Sequence, residues 1–297
     1  MAKYNIFIFR RDLRMLDNKG INYCINNLEN VIPIFIFTPE QVTDNNKFKS
    51  NNAIQFMIES LKDLEIELKK YNSKLHLFYG ENNKILEYIL STINVDNVVF
   101  NMDYTPYALD RDENIIKICN KFNINCIQIQ DYLLKDIGSM NKKDGNPYTV
   151  FTPFKNNGLK QKIDKNDYLK IKNFIINDSL KTVDYIDYKI NSNILVNGGR
   201  KNGLVYLNNI INQKKYDDTR NCLNMNTTQL SAFIKFGCIS IREVYWKIRN
   251  YFGINSQLLA QIFWREFYYY IVYYYPRVLK GENWNEKYNN IKWKYNK

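Results

Sequence analysis

Within the first 130 residues, five short runs rich in Ile, Val and Phe alternate with longer stretches of helical spacing, and that alternation restricts the fold more than any other feature. Tyr4–Phe9, Val31–Phe37, Lys74–Tyr79, Asn97–Asn101 and Asn125–Ile129 read as buried strands. Lys19–Leu28, Ala53–Tyr71, Lys84–Ile93 and Asp110–Phe122 read as helices, the second carrying Ile54, Ile58, Leu61, Leu64 and Leu68 at helical spacing. A helix in every gap makes each connection a crossover, so the strands run parallel. The expectation is an α/β fold built on a doubly wound, five-stranded parallel sheet.

Sheets of this kind take ligands at the carboxyl ends of their strands, where the strand order reverses. Arg10, Arg11, Asp12, Leu13 and Arg14 follow the first run, with neither G-x-G-x-x-G nor G-x-x-x-x-G-K-[ST] there, so a standard dinucleotide or P-loop site is not expected. The arginines read either as ligand contacts or as salt bridges tying the strand end to the rest of the protein.

From Asp131 to Asn197 the pattern loosens into Lys, Asp and Asn runs, an interdomain connector in which only PYTVFTPFKN (Pro147–Asn156) is apolar enough to dock. Past Gly198-Gly199 helical spacing returns. Leu204, Leu207, Ile210 and Ile211 mark one helix, and Thr227-Thr228 open another that runs to Gly237 as a C-cap. Ser240-x-x-Glu243 is a capping box opening a helix through Ile248, and a last helix runs from Gln257 to Pro276. The division is therefore an α/β domain over 1–130, a connector over 131–197 and an all-α domain over 198–297.

The formal charge of +12 suits a phosphate-bearing partner, but Asn, Lys, Ile and Tyr are all abundant, and an AT-rich genome would raise the Lys count with no binding role. Both readings stay open. The cysteines Cys24, Cys119, Cys126, Cys222 and Cys238 are widely spaced, without a C-x-x-C pair, which argues for reduced thiols. His76 is the only histidine and lies in a strand-like run, so it reads as packing, and a metal site or a His-dependent nucleophile has little raw material. No apolar run reaches the roughly 18 residues of a membrane span. A soluble, intracellular protein is expected.

On the last helix Leu259, Phe263, Phe267, Ile271 and Tyr274 form an apolar stripe, while Gln261, Trp264, Arg265 and Tyr268 line the neighbouring face. An amide, an indole, a guanidinium and a phenol together suit stacking on a flat heteroaromatic while hydrogen-bonding its edge or a phosphate. Arg265 paired with Glu266 or stacked on an aromatic is the plainer alternative. Thr227-Thr228-Gln229-Leu230-Ser231 adds hydroxyls at an expected helix N-terminus, where an anion is favoured. Together the two features suggest a nucleotide-like cofactor in the helical domain.

These stretches resemble the DNA photolyase/cryptochrome family. IFIFRRDLRMLDN (Ile6–Asn18), DYTPYALDRD (Asp103–Asp112), GGRKNGLVYL, TTQLSAFIKFGCISIREVYW (Thr227–Trp246) and FWREFYYYI (Phe263–Ile271) occur in that family's order. The resemblance implies an antenna-type α/β domain followed by a helical domain that binds FAD. It implies repair of pyrimidine dimers in UV-damaged DNA by light-driven electron transfer from reduced FAD. By position, Tyr216, Thr227, Thr228, Gln229, Leu230 and Ser231 would touch the FAD phosphates and ribityl chain. Gln261 and Arg265 would lie at the flavin and lesion pocket, and Trp264 would stack on the flipped-out dimer.

There are departures. Gln261 stands where many cyclobutane-dimer enzymes carry glutamate, which leaves the lesion open, and Tyr107-Ala108 stand where folate-binding members carry Asn-Glu, so a folate antenna is not supported and the antenna is unknown. In the family, NWNEKYNNIKW (Asn283–Trp293) leads into further helices that complete the flavin site, whereas this sequence runs only to Lys297. The expectation is a truncated photolyase, inactive alone or completed by a second chain. The alternative is a non-catalytic module of cryptochrome type that binds a nucleotide, a chromophore or DNA.

Overall fold

A computed structural model describes residues 3–165, 169–292 and 294. Its first part alternates strands and helices: β1 (Tyr4–Phe9), α1 (Lys19–Asn27), β2 (Val31–Phe37), the short α2 (Pro39–Val42), α3 (Asn51–Lys69), β3 (His76–Tyr79), α4 (Asn82–Thr92), β4 (Val95–Asn101), α5 (Pro106–Lys121) and β5 (Asn125–Ile129). All pairings are parallel and the strand order is β3-β2-β1-β4-β5, so the sheet is doubly wound as expected. The sheet reverses its order between β1 and β4, which places the end of β1 beside the crevice where such sheets accept ligands.

Both faces of β1 and β2 are buried, which is why these strands read as unbroken apolar runs. The two faces differ in side chain. Phe7, Phe9, Phe35 and Phe37 point to one core, shared with α1, α3 and the later helices, while Ile6, Ile8, Ile32, Ile34 and Ile36 point to the other, under α4 and α5. Each fully buried Phe or Ile contributes about 1.5–3 kcal/mol of burial free energy, so a one-residue slip in register, which would exchange the two sets, is strongly disfavoured.

The later chain forms α6 (Phe151–Gly158), α7 (Arg200–Asn208), α8 (Tyr216–Thr219), α9 (Ser231–Lys235), α10 (Ile241–Phe252) and α11 (Gln257–Tyr274). The stretch read as a loose connector is tied down at two places along its length. Val31 N donates to Asn173 O (2.8 Å) and Ile175 N to Val31 O (2.9 Å), so residues 173–175 run alongside β2. His76 secures the same segment: Asn177 N donates to its Nε2 (3.1 Å), leaving Nδ1–H for Pro33 O (3.1 Å), and burial pushes its pKa down toward the neutral form this arrangement uses. The stretch Pro147–Asn156 does dock, as α6, with Phe154 fully buried against Phe267 and Tyr270 of α11.

Two of the expected helices differ in detail. Leu204 and Leu207 fall in α7, but Ile210 and Ile211 lie in the 3₁₀ turn Asn209–Asn212 that tightens its end. The helix expected from Thr227 begins only at Ser231, because Gln229 adopts φ +53°, a left-handed conformation that no right-handed helix can contain. The Ser240–Glu243 capping box is formed on both sides, and α10 continues past Ile248 to Phe252. Trp293, the last residue of the stretch Asn283–Trp293, lies outside the described residues.

Candidate functional site

The arginines after β1 do what the structural reading required, and more. Arg10 pairs with Asp112 (2.6 Å), Arg11 with Asp103 (2.7 Å) and Arg14 with Asp131 (2.5 Å). The same loop also receives the end of α9. Arg11 Nε donates to Lys235 O (3.3 Å), the Leu13 N–H to Phe236 O (3.1 Å) and Arg14 Nη1 to Gly237 O (3.1 Å). Carbonyls that a helix leaves unpaired at its C-terminus are thus met by cations and an amide from a loop far away in sequence. Gly237 makes the approach possible: at φ +67°, an added Cβ would stand 2.2 Å from Arg11 O.

A cavity of about 520 Å³ opens beside this junction, between α8, α9, α10, α11 and Tyr132. Its floor is apolar, from Leu230, Ile234, Val244, Ile248, Leu258 and Ile262. Its charged groups are Arg11, Lys235 and Arg265, with no carboxylate in the lining. Of the residues expected at a cofactor, Tyr216, Thr228, Leu230, Ser231, Gln261 and Arg265 come together here. Thr227 and Gln229 do not line it: Thr227 is exposed, and Gln229 turns its amide to Asn226 Oδ1 (3.1 Å). The hydroxyls also do not cap a helix, since Leu230 is the N-cap and Thr228 Oγ1 only accepts from Leu230 N at 3.5 Å. The helix N-terminus expected at Thr227 therefore lies at Ser231, with Thr228, Leu230 and Ser231 on the cavity wall.

Arg265 is both paired and presented to the cavity. Its Nη1 donates to Glu266 Oε1 (2.8 Å) and Nη2 to Tyr132 O (3.0 Å), while its guanidinium sits between the rings of Tyr132 (4.5 Å) and Tyr269 (4.9 Å). Glu266 also accepts from Leu134 N (2.8 Å) and is fully buried, and burial, only partly offset by Arg265, pushes its pKa up to about 7. Gln261 differs: among the described residues its amide has no side-chain hydrogen bond, which leaves it free for a ligand edge.

Trp264 lies elsewhere. The cavity face of α11 carries positions 258, 261, 262, 265 and 269, and Trp264 falls about a third of a turn round the helix from the middle of that face. Its ring is stacked on Phe151 of α6 (3.6 Å between centroids, planes 6° apart), with Tyr268 on its own helix 5.5 Å away. One face of the indole expected as a stacking wall is therefore taken by the chain's own phenylalanine, and Trp264 remains partly exposed.

A second cavity, of about 450 Å³, lies at the carboxyl ends of β1 and β2. Arg10, Arg11, Lys49, Arg111 and Lys235 line it, again with no carboxylate, above an apolar floor that includes Phe9, Phe35, Ile54 and Met57. Arg10 Nη2 and Thr38 Oγ1 are buried there without a partner among the described residues. Burial and the neighbouring Arg111 bring the Arg10 pKa down to about 10, a sign that one carboxylate, Asp112, serves two guanidiniums. Phe48 stands almost fully exposed at the rim. The rim loop, from Thr38 to Ser50, went unread in the sequence, although the carboxyl-end rule applied to β2 points to it. Tyr107 and Ala108 line neither cavity.

The sequence profile of the DNA photolyase family matches residues 5–169. The chain belongs to the DNA photolyase family. A deoxyribodipyrimidine photo-lyase of Buchnera aphidicola subsp. Baizongia pistaciae is 28% identical over 98% of this chain and 65% of its own length. A (6-4)DNA photolyase of Arabidopsis thaliana is 26% identical over 94% of this chain and 58% of its own. An archaeal photolyase from Sulfolobus tokodaii, solved with two FAD molecules, superposes with a TM-score of 0.86 at 35% identity, covering 99% of this chain and 65% of that one. The chain thus spans about three fifths of the photolyases it matches. Among its described residues no helix is long and apolar enough to cross a membrane.

Proposed function

We propose that the cavity between α8 and α11 holds FAD, and that the chain contributes this wall of the cofactor cleft to a light-driven enzyme that repairs pyrimidine dimers in DNA. The observation that carries the reading is the composition of that lining. Three cations without a carboxylate suit a pyrophosphate, the apolar floor suits a flat heteroaromatic, and Gln261 offers an unpaired amide. Bound and reduced, FAD supplies the electron that splits the dimer. In this chain Arg265, fixed by Glu266 and Tyr132, holds its charge at the cleft, and Arg11 and Lys235 provide the counter-charge at its other edge. The cavity is open to solvent, and we assign its far wall to polypeptide outside these residues, in continuation or as a separate chain. Inside the cell, the second cavity takes a further anionic, flat ligand as antenna.

Titration of the purified chain with FAD, followed by flavin fluorescence, tests the reading. Saturable binding is expected, with Arg265→Ala weakening it about ten-fold or more, the size of a lost charge-assisted hydrogen bond. A second reading, a module that binds DNA without chemistry, draws support from the Phe151 stack that takes one face of Trp264. It predicts the opposite outcome: no saturable flavin binding, and DNA affinity that falls steeply with salt.

A further inference from the structure

Arg11 and Lys235 belong to the linings of both cavities. The Arg11 Nε bond to Lys235 O (3.3 Å) fixes the two residues together as a partition between the cavities. Their side chains differ in freedom. Arg11 is committed to Asp103 (2.7 Å) and lies over the Tyr132 ring (5.0 Å). Lys235 is exposed and has no ion pair among the described residues, so its ammonium is free to turn to either side.

We propose that the two cavities bind phosphate-bearing ligands with linked affinities: an anion in one weakens the hold on an anion in the other, and Lys235 carries most of the linkage. The inference rests on the flavin reading of the cavity between α8 and α11. A single ammonium cannot neutralise charge on both sides of the partition at once, and neither lining has a carboxylate whose release could free further positive charge. Linkage of this kind is reciprocal, so the ligand bound first loses the same factor when the second arrives.

The test uses FAD as the probe of the flavin cavity and inorganic pyrophosphate as the probe of the cavity over β1 and β2, where the Arg10 and Thr38 groups await a partner. FAD is titrated by fluorescence at rising fixed pyrophosphate. The apparent dissociation constant is expected to climb and then level off at about five-fold, the low end for coupled sites because Lys235 is solvent-exposed. Lys235→Gln, which removes the charge and keeps the length, should bring the plateau below about two-fold, and higher salt should shrink it in the wild type. A climb without a plateau means simple competition and overturns the linkage, as does no change at all. A full plateau in Lys235→Gln overturns the role of that residue. Absence of saturable FAD binding instead removes the flavin reading, and the linkage falls with it.

Discussion

At the scale of single residues, Glu266 and Arg265 show how a side chain can be presented to a cavity while remaining fully engaged. The carboxyl of Glu266 is buried, and its pKa rises from 4.5 to about 7. A group that binds its proton more tightly when folded adds stability below its unfolded pKa, and loses it as pH rises toward the folded one. Glu266→Gln has no such dependence. The melting temperature of the variant minus that of the wild type should therefore increase by several degrees between pH 4.5 and 7.5, measured by circular dichroism. A flat difference would mean that Glu266 is charged throughout. The cavity face of α11 was legible in sequence for Gln261 and Arg265, because helical spacing fixes which residues share a side. It was not legible for Trp264, since nothing local says that Phe151, more than a hundred residues earlier, closes over its ring.

Among the elements, α9 departs most from what its sequence suggests. Spacing and hydroxyls point to a helix from Thr227, yet the left-handed Gln229 delays the helix to Ser231. Its end was easier to read, because Gly237 closes it in the expected way: Cys238 N bonds Phe233 O (2.9 Å) and Gly237 N bonds Ile234 O (3.3 Å). The sheet was legible almost strand by strand, since parallel strands buried on both faces leave uninterrupted apolar runs. The 3₁₀ end of α7 and the docking of residues 173–177 on β2 were not, because both depend on tertiary partners. Gly237→Ala tests the junction. It forces a side chain into positive φ and against Arg11 O, so a loss of at least about 2 kcal/mol is expected by urea denaturation. A loss below about 1 kcal/mol would show that the loop after β1 yields easily.

For the molecule as a whole, the helical layer is bolted to the sheet by buried charge. Asp131 accepts from Arg14 (2.5 Å), Arg242 (2.7 Å) and the Lys19 N–H (3.0 Å), and Arg242 also reaches Asp17 (3.1 Å), which takes a further hydrogen bond from Ser240. Burial alone would raise the Asp131 pKa, but the two guanidiniums outweigh it and hold the carboxyl well below the usual range. Its contribution is therefore complete above about pH 4 and drains away as pH falls below that. Asp131→Asn leaves two buried arginines short of charge and should cost about 3–5 kcal/mol at neutral pH. The variant should also show a shallower acid-unfolding curve than the wild type, and equal curves would remove Asp131 from the latch.

The bonds between the loop after β1 and the end of α9 join positions 223 or 224 residues apart. At ribosomal rates of about 5–20 residues per second, Arg11 leaves the ribosome some 10–45 s before the carbonyls it will hold. Through that interval the sheet can form and the three arginines can take Asp112, Asp103 and Asp131 as partners, but the wall of the cleft takes shape only when residues 216–269 arrive.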